Sequence, residues 1–227
     1  MGRKKEKDGI VSPMIAVIDY GMGNLRSIAK ALEHVGAEVT VTRDPAVIRS
    51  AERLVLPGVG AFGNGMGNLR SFELLPVLEE EVLGKKKPFW GICLGMQLLA
   101  RSSEEFGEHQ GLGWIPAIVK RFSFPAGSPL KIPHVGWNTV TFAREHPVTA
   151  GREKADFYFV HSYYVAPDGD GLTAGTCEYG TRFAACVTRD NIFATQFHPE
   201  KSQQDGLRLL RQFCHWQPES APSPPHA

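Results

Sequence analysis

The first half of the chain alternates short apolar runs with stretches of helical periodicity. The runs Met14–Asp19 (MIAVID) and Arg53–Leu56 (RLVL) have the length and continuity of buried parallel strands. Between them, apolar residues recur at helical spacing before Gly36, a typical C-terminal glycine: Leu25, Ile28, Ala29 and Leu32. This alternation predicts a parallel sheet with helices on both faces.

The same pattern continues to about residue 100. It predicts a strand at Glu38–Thr42, a short helix capped by Asp44 with Pro45 in its first turn, a helix over about Leu69–Leu83, a strand over about Pro88–Ile92 and a helix at Leu94–Ala100. The glycine-dense segment Pro57–Asn68 is expected to be a loop.

The second half is rich in strands and poor in helices. The expected strands are Ala117–Phe124, Thr139–Phe142, Phe157–Val165, Leu172–Thr176, Ala184–Thr188 and Ile192–Phe197. We expect antiparallel or mixed pairing among them. A last helix is predicted to start at Ser202, with Asp205 at capping-box spacing. Its predicted apolar face comprises Leu207, Leu210, Phe213 and Cys214.

Composition narrows the functional classes. The 227 residues are 42% hydrophobic and 22% charged, with a net charge of +1, so no overall field favours nucleic acid or an anionic membrane. No apolar run approaches the roughly 20 residues of a spanning helix, and no secretory signal is evident. Four cysteines without CxxC spacing indicate a reduced, cytoplasmic protein without a zinc site.

The two ends differ from the rest of the chain. The polar, lysine-rich start and the proline- and serine-rich end lack periodicity. We expect a disordered leader at 1–12, one folded domain at 13–216 and a disordered tail at 217–227.

Cys93 is the first candidate for chemistry. Gly91-Ile92-Cys93-Leu94-Gly95 has the pattern of a nucleophile elbow, in which a tight strand-to-helix turn exposes the nucleophile and its neighbours must be small. The helix N-terminus behind the cysteine favours the thiolate. A buried structural cysteine packed between glycines is the alternative.

His198 and Glu200 supply a second candidate element. They follow a predicted strand, and extended backbone places alternate side chains on one face, so the two can lie together. Pro199 favours extended backbone at His198. A histidine beside a carboxylate is the base and orienting half of a catalytic triad. A surface turn with a capping glutamate is the alternative, which the cysteine elbow disfavours.

A third element is the backbone after the third strand. The N–H groups of Gly58, Val59 and Gly60, together with that of Leu94, could form an oxyanion hole above Cys93, with Val59, Gly60 and Leu94 as the expected donors. A flexible connector is the alternative. His134 and His161, in unusual polar-aromatic stretches, are weaker candidates for substrate or partner contacts.

Together these strings resemble a known family. "GICLGMQ" with a distant "FHPE" is similar to class I, triad-type glutamine amidotransferases, which have a flavodoxin-like α/β fold. "DYGMGNLRS", "LPGVGAFGNGM", "IPHVGWN", "YFVHSYY" and "ATQFHPEKSQ" resemble the glutaminase subunit of imidazole glycerol phosphate synthase, over about Ile15 to Trp216.

The resemblance implies a mechanism, a substrate and a partner. Cys93 would attack L-glutamine, His198 would act as base and Glu200 would orient it, without metal or other cofactor. By the same resemblance, the residues that hold glutamine would be Gly60, Gln97, Ser162 and Tyr163. Ammonia would pass to a (β/α)8-barrel cyclase subunit in a heterodimer that serves histidine biosynthesis. The residues expected at that interface are Asn24, Trp137, Asn138, Tyr158 and Lys201.

Two other functions remain open on the sequence. A stand-alone cysteine γ-glutamyl hydrolase would use the same triad without an ammonia acceptor. A binding module with a vestigial site would have an unreactive Cys93.

Overall fold

The computed structural model describes residues 13–218 and contains six α-helices and thirteen strands within that range. The helices are α1 Leu25–His34, α2 Pro45–Ser50, α3 Phe62–Ser71, α4 Leu74–Leu78 (continued by a π-helical turn, Glu79–Gly84), α5 Leu94–Leu98 and α6 Gln203–His215. The predicted leader at 1–12 lies outside the described residues, as does the predicted tail apart from Gln217 and Pro218.

The strands form two sheets. They are β1 Met14–Ile18, β2 Glu38–Thr42, β3 Arg53–Gly58, β4 Phe89–Cys93, β5 Ser102–Ser103, β6 His109–Gln110, β7 Ala117–Arg121, β8 His134–Phe142, β9 Lys154–His161, β10 Tyr163–Pro167, β11 Thr173–Glu178, β12 Arg182–Arg189 and β13 Ile192–Thr195. The larger sheet has the order β2-β1-β3-β4-β13-β12-β11-β8-β9, and the smaller has β10-β7-β5-β6.

The first five strands of the larger sheet are parallel and the remaining pairs are antiparallel. The parallel part has the 2-1-3-4-5 winding of flavodoxin-like folds, with β13 in the fifth place. The prediction of a doubly wound parallel sheet followed by mixed pairing is therefore confirmed. In such a sheet, sites form outside the carboxyl ends of the strands.

Side chains of alternate residues build the core on the two faces of the parallel sheet. Ile15 and Val17 of β1 pack in the cluster that includes α1 and α6. Ala16 and Ile18 pack in the cluster that includes α2 to α5. All four are at most 1% exposed, as expected for a strand covered on both faces.

Two expectations for the middle of the chain are wrong. Most of the glycine-dense segment is helix α3, which buries Phe62, Met66 and Leu69 on one face. Gly65 lies on the same face and lets α3 approach α5 closely, since a Cβ there would lie 3.2 Å from a methyl group of Leu98. The single helix predicted over Leu69–Leu83 is broken. Glu73 adopts φ 54° between α3 and α4.

Two expectations for the second half also need correction. The strand predicted over Phe157–Val165 is two strands, β9 and β10, which belong to different sheets and are separated by Ser162. Ser202 does not cap α6. Its hydroxyl donates to the His198 carbonyl (2.6 Å) and accepts from the Tyr158 N–H (3.0 Å), so it holds the turn after His198 instead.

Candidate active site

Cys93 occupies a sharp turn between β4 and α5. It is the last residue of the strand, and the helix starts at the next residue, Leu94. Its backbone has φ 54° and ψ −108°, a conformation that costs an L-residue about 1–3 kcal/mol. The strand-to-helix turn predicted from the glycine pattern is therefore present.

Three glycines make this turn possible. A Cβ at Gly95 would lie 1.8 Å from the Leu56 carbonyl oxygen, and one at Gly91 would lie 2.8 Å from the carbonyl oxygen of Gly95. On the neighbouring strand, a Cβ at Gly58 would lie 2.0 Å from the Tyr20 hydroxyl. No side chain fits at these positions, and β3, β4 and α5 meet closely around Cys93 as a result.

His198 and Glu200 lie past the carboxyl end of β13, which pairs in parallel with β4. The extended backbone expected across the pair is present at His198 only, because Pro199–Lys201 form a 3-10 turn. The Nδ1–H of His198 donates to Glu200 Oε1 at 2.8 Å, and each side chain is 4% exposed. This bond orients the ring so that its other nitrogen, Nε2, faces away from the carboxylate. Nε2 is buried and makes no hydrogen bond of ordinary geometry among residues 13–218, and Cys93 is its interacting neighbour.

The surroundings of His198 favour its charged form. Burial alone would lower the pKa of His198, but the Cys93 side chain and the Glu200 carboxylate outweigh burial and raise that pKa to about 10. The imidazole therefore holds its proton at neutral pH. It can serve as the charged partner of a cysteine thiolate and later deliver the proton to a leaving group.

Gln196 is a contact of Cys93 that was not predicted from the sequence. Its side-chain Nε2 donates to Cys93 Sγ at 3.6 Å, and its Oε1 accepts from Gln97 Nε2 at 3.0 Å. Alternation along extended backbone predicts that residues 196 and 198 share one side of the chain. That signal was available, but Gln196 could be assigned to Cys93 only once β4 and β13 were known to be neighbours.

The glycine loop after β3 borders the nucleophile. Gly58 is the register partner of Cys93, so residues 58–60 lie beside the elbow. Gly60 has φ 107°, where a side chain would be strained, and the Val59 side chain is 42% exposed. Leu94, at the start of α5, has one of the N–H groups that a helix cannot satisfy internally. Leu94 follows Cys93 in the chain, and Val59 and Gly60 follow its register partner, so the oxyanion hole stays a prediction.

The residues expected to hold substrate converge from two directions. Gln97 is 6% exposed, and its Nε2 donates to the Tyr163 carbonyl at 3.0 Å. Ser162 lies next to Tyr163 at the break between β9 and β10, and both are half-buried. Gly60 lies on the β3 side of Cys93. The structure therefore brings Gln97, Ser162 and Tyr163 together, and Gly60 lies two residues beyond the register partner of Cys93. Their contacts with the substrate stay a prediction.

The residues expected at a partner interface form one cluster and two outliers. Trp137 and Tyr158 are register partners with ring centroids 6.3 Å apart, and Lys201 Nζ lies 5.4 Å from the Tyr158 ring. Asn138 points to the opposite face of β8, where it contacts His134. Asn24 is exposed and caps α1 through the N–H of Ser27 (3.3 Å).

Metal chemistry has no candidate site in this part of the chain. Residues 13–218 contain no group of three or more histidine, cysteine, aspartate or glutamate side chains placed to hold a metal ion. Within the same range, no helix is long and apolar enough to cross a membrane.

Comparison with known proteins assigns the family. A family model described as glutamine amidotransferase class-I matches residues 16–216. The chain belongs to the class-I glutamine amidotransferases. Cys93 and His198 both lie inside the matched region, at adjacent strand ends of this amidotransferase.

Its relatives include proteins named imidazole glycerol phosphate synthase subunit HisH. The one from Syntrophotalea carbinolica is 52% identical over 205 residues, which cover 88% of this chain and 98% of that protein. The one from Methylococcus capsulatus is 53% identical over 215 residues, which cover 91% and 98%. The resemblance to glutaminase subunits of this synthase is thereby confirmed.

Solved structures confirm the amidotransferase fold. PurLQS from Thermotoga maritima matches with a TM-score of 0.70 at 19% identity, covering 90% of this chain and 99% of that one. A putative GMP synthase protein from Thermoplasma acidophilum matches with a TM-score of 0.68 at 20% identity, covering 91% and 94%.

Proposed function

We propose that this amidotransferase hydrolyses L-glutamine to L-glutamate and ammonia for an imidazole glycerol phosphate synthase of histidine biosynthesis. The observation that carries the proposal is the His198–Glu200 pair, 2.8 Å apart, beside a cysteine at a strand-to-helix elbow. The HisH relatives, about half identical over most of the chain, support the choice of synthase.

The proposed chemistry proceeds in two stages through Cys93. The Cys93 thiolate attacks the side-chain amide carbon of glutamine, and the N–H groups of Leu94, Val59 and Gly60 stabilise the oxyanion. Imidazolium His198, oriented by Glu200, gives its proton to the departing ammonia and leaves a glutamyl thioester. Water, deprotonated by His198, then hydrolyses the thioester and regenerates the thiolate.

The glutamine pocket proposed here lies between the two sides of the site. Gln97, Ser162 and Tyr163 would contact the substrate from one side and Gly60 from the other. One contact supports the first side of the pocket: the Gln97 amide is already held by the Tyr163 backbone, so its orientation is fixed before glutamine binds.

The proposed partner is a cyclase subunit with a (β/α)8 barrel, in a heterodimer that receives the ammonia. Support comes from an exposed apolar stripe on the outer face of β8 and β9: Val135 is 56% exposed, Trp137 is 49% exposed, and Tyr158 is the register partner of Trp137. Lys201 borders the stripe. Aromatic side chains flanked by a cation are typical of an interface core and its polar rim. We place the enzyme in the cytoplasm, where Cys93 stays reduced.

The decisive experiment separates glutamine hydrolysis from synthesis. Cys93→Ala should abolish ammonia release from glutamine yet leave ammonia-dependent synthesis by the complex intact. Cys177→Ala, which removes another buried thiol, is the control and should preserve both activities. Loss of both activities in a folded Cys93→Ala complex would contradict the assignment.

A second measurement tests the need for the partner. A glutaminase that runs without its acceptor wastes glutamine, so we expect the isolated protein to be slow and the complex with nucleotide to be fast. Full turnover by the isolated protein would favour the stand-alone γ-glutamyl hydrolase. Failure of Cys93 to react with a glutamine-analogue alkylating agent would favour a vestigial site.

A further inference from the structure

Two buried histidines form a hydrogen-bonded pair whose direction can be derived. His161 Nδ1 lies 2.8 Å from the Tyr163 carbonyl oxygen, which can only accept, so Nδ1 carries the proton. Burial lowers the pKa of His161 to about 3 and that of His134 to about 4, so both rings are neutral. His161 Nε2 is then an acceptor, and His134 Nδ1 donates to it at 3.0 Å. His134 Nε2 in turn accepts from Asn138 Nδ2 at 3.3 Å.

The same carbonyl fixes a second run of hydrogen bonds, which ends at the nucleophile. The Tyr163 oxygen also accepts from Gln97 Nε2 (3.0 Å), so Gln97 presents its amide nitrogen on this side. That nitrogen donates to Gln196 Oε1 (3.0 Å), which turns Gln196 Nε2 towards Cys93 Sγ (3.6 Å). An amide donor, not an acceptor, therefore points at the sulfur.

We propose that Gln196 is a catalytic residue whose amide N–H stabilises the Cys93 thiolate, and that His134 and His161 are positioning residues that hold the Tyr163 carbonyl on which the Gln97 and Gln196 amides are aligned. The proposal rests on the proposed role of Cys93 as nucleophile. It adds a donor on the sulfur that acts twice: on the attacking thiolate, and on the sulfur that departs as thiolate when water opens the thioester.

The other titratable groups around the sulfur are few. His198 faces it from the segment after β13, and the charge of His198 contributes to the lowered pKa of His161 on β9. Tyr20, from the segment after β1, is fully buried with its hydroxyl unpaired among residues 13–218. Burial, with a smaller effect of Cys93, raises the pKa of Tyr20, so it stays neutral. Gln196 is thus the neutral amide donor on this sulfur, beside the charged His198.

The test measures the sulfur directly. The rate at which iodoacetamide alkylates Cys93 is followed against pH by peptide mass spectrometry, in the full-length protein and in Gln196→Met and Gln196→Glu. We expect the midpoint of the profile to rise by about one pH unit in Gln196→Met, since a hydrogen bond to a charged group is lost, and further in Gln196→Glu. The glutaminase kcat should fall about tenfold, with KM within about threefold. Gln110→Glu, the same change at an exposed side chain, should shift nothing.

Gln196→Glu is nearly isosteric and keeps the acceptor for Gln97, so it serves if Gln196→Met fails to fold. An unchanged alkylation midpoint in the folded variant would overturn the role of Gln196. If the variants show the expected shifts but the wild-type protein hydrolyses no glutamine with its partner present, the proposed function is refuted and the N–H···S contact still stands.

The histidine pair needs a readout that a purely structural role would leave unchanged. His134→Phe keeps the ring but leaves His161 Nε2 without its donor, so the melting temperature should fall. His134→Phe/His161→Phe removes both partners and should recover part of that loss. Positioning predicts that the double variant still alkylates with a raised midpoint. A double variant with the wild-type midpoint would overturn the positioning role.

Discussion

Glu200→Gln tests how far the carboxylate, through His198, contributes to catalysis. The amide keeps an acceptor oxygen for the Nδ1–H and removes the negative charge 2.8 Å away. Both side chains are 4% exposed, so solvent screens the lost interaction little. Hydrogen bonds to charged groups contribute about 1.5–3 kcal/mol, which at about 1.4 kcal/mol per decade corresponds to a kcat lower by about 10- to 150-fold.

Steady-state glutaminase assays with the partner present measure this effect. KM should change little, because Glu200 acts through His198 and is not among the residues proposed to touch glutamine. Glu108→Gln makes the same change at an exposed loop position and should leave kcat and KM unchanged. A Glu200→Gln enzyme with kcat within twofold of wild type would refute the orienting role of Glu200.

The same variant has a pH signature in stability. The pKa of His198 is raised from 6.5 to about 10 in the folded protein, so its stabilising contribution is complete below about 6.5 and is lost as the pH rises through about 10. Because Glu200→Gln removes part of that contribution, its destabilisation in urea unfolding should be larger near pH 6 than near pH 10. Equal destabilisation at both values would contradict the charged form of His198.

Three further substitutions test packing and the partner surface. Gly95→Ala should destabilise the protein by about 3 kcal/mol or more in thermal or urea unfolding, since its Cβ would meet the Leu56 carbonyl oxygen at 1.8 Å. Gly67→Ala, in helix α3 with nothing within 4 Å of the new Cβ, should stabilise it by about 0.5–1 kcal/mol; a loss would refute the open environment. Trp137→Ala should weaken binding to the cyclase partner by about 30-fold, which corresponds to an interface hot spot of about 2 kcal/mol. Calorimetry measures this affinity, and an unchanged value would exclude Trp137 from the interface.

The parts of the fold that follow from local patterns could be predicted from the sequence. Strand β1 is a continuous apolar run, and α2 begins at Asp44 and Pro45 as expected because its cap is local. The nearness of His198 and Glu200 is predicted correctly but for the wrong reason: the backbone is extended at His198, whereas Pro199–Lys201 form a 3-10 turn that carries the Glu200 carboxylate to the imidazole.

What could not be predicted depends on partners distant in sequence. The glycines of α3 resemble a loop until Gly65 is seen against Leu98 of α5. Ser202 has the spacing of a helix cap, but its hydroxyl is taken by His198 and Tyr158. The hydrogen bond from Gln196 to Cys93 joins the ends of two neighbouring strands that are more than a hundred residues apart in sequence, and no local pattern predicts that pairing.

Because Cys93 has a positive φ, the residue that would make the fold most stable at this position differs from the residue that the chemistry needs. Glycine at 93 would relieve the about 1–3 kcal/mol of backbone strain at this turn, at an entropic cost of up to about 1 kcal/mol. A library of variants selected only for resistance to heat would therefore be enriched in glycine at this position and would lose the thiol. The cysteine persists only where each generation is also selected for turnover, and design of residue 93 for stability alone would give an inert protein.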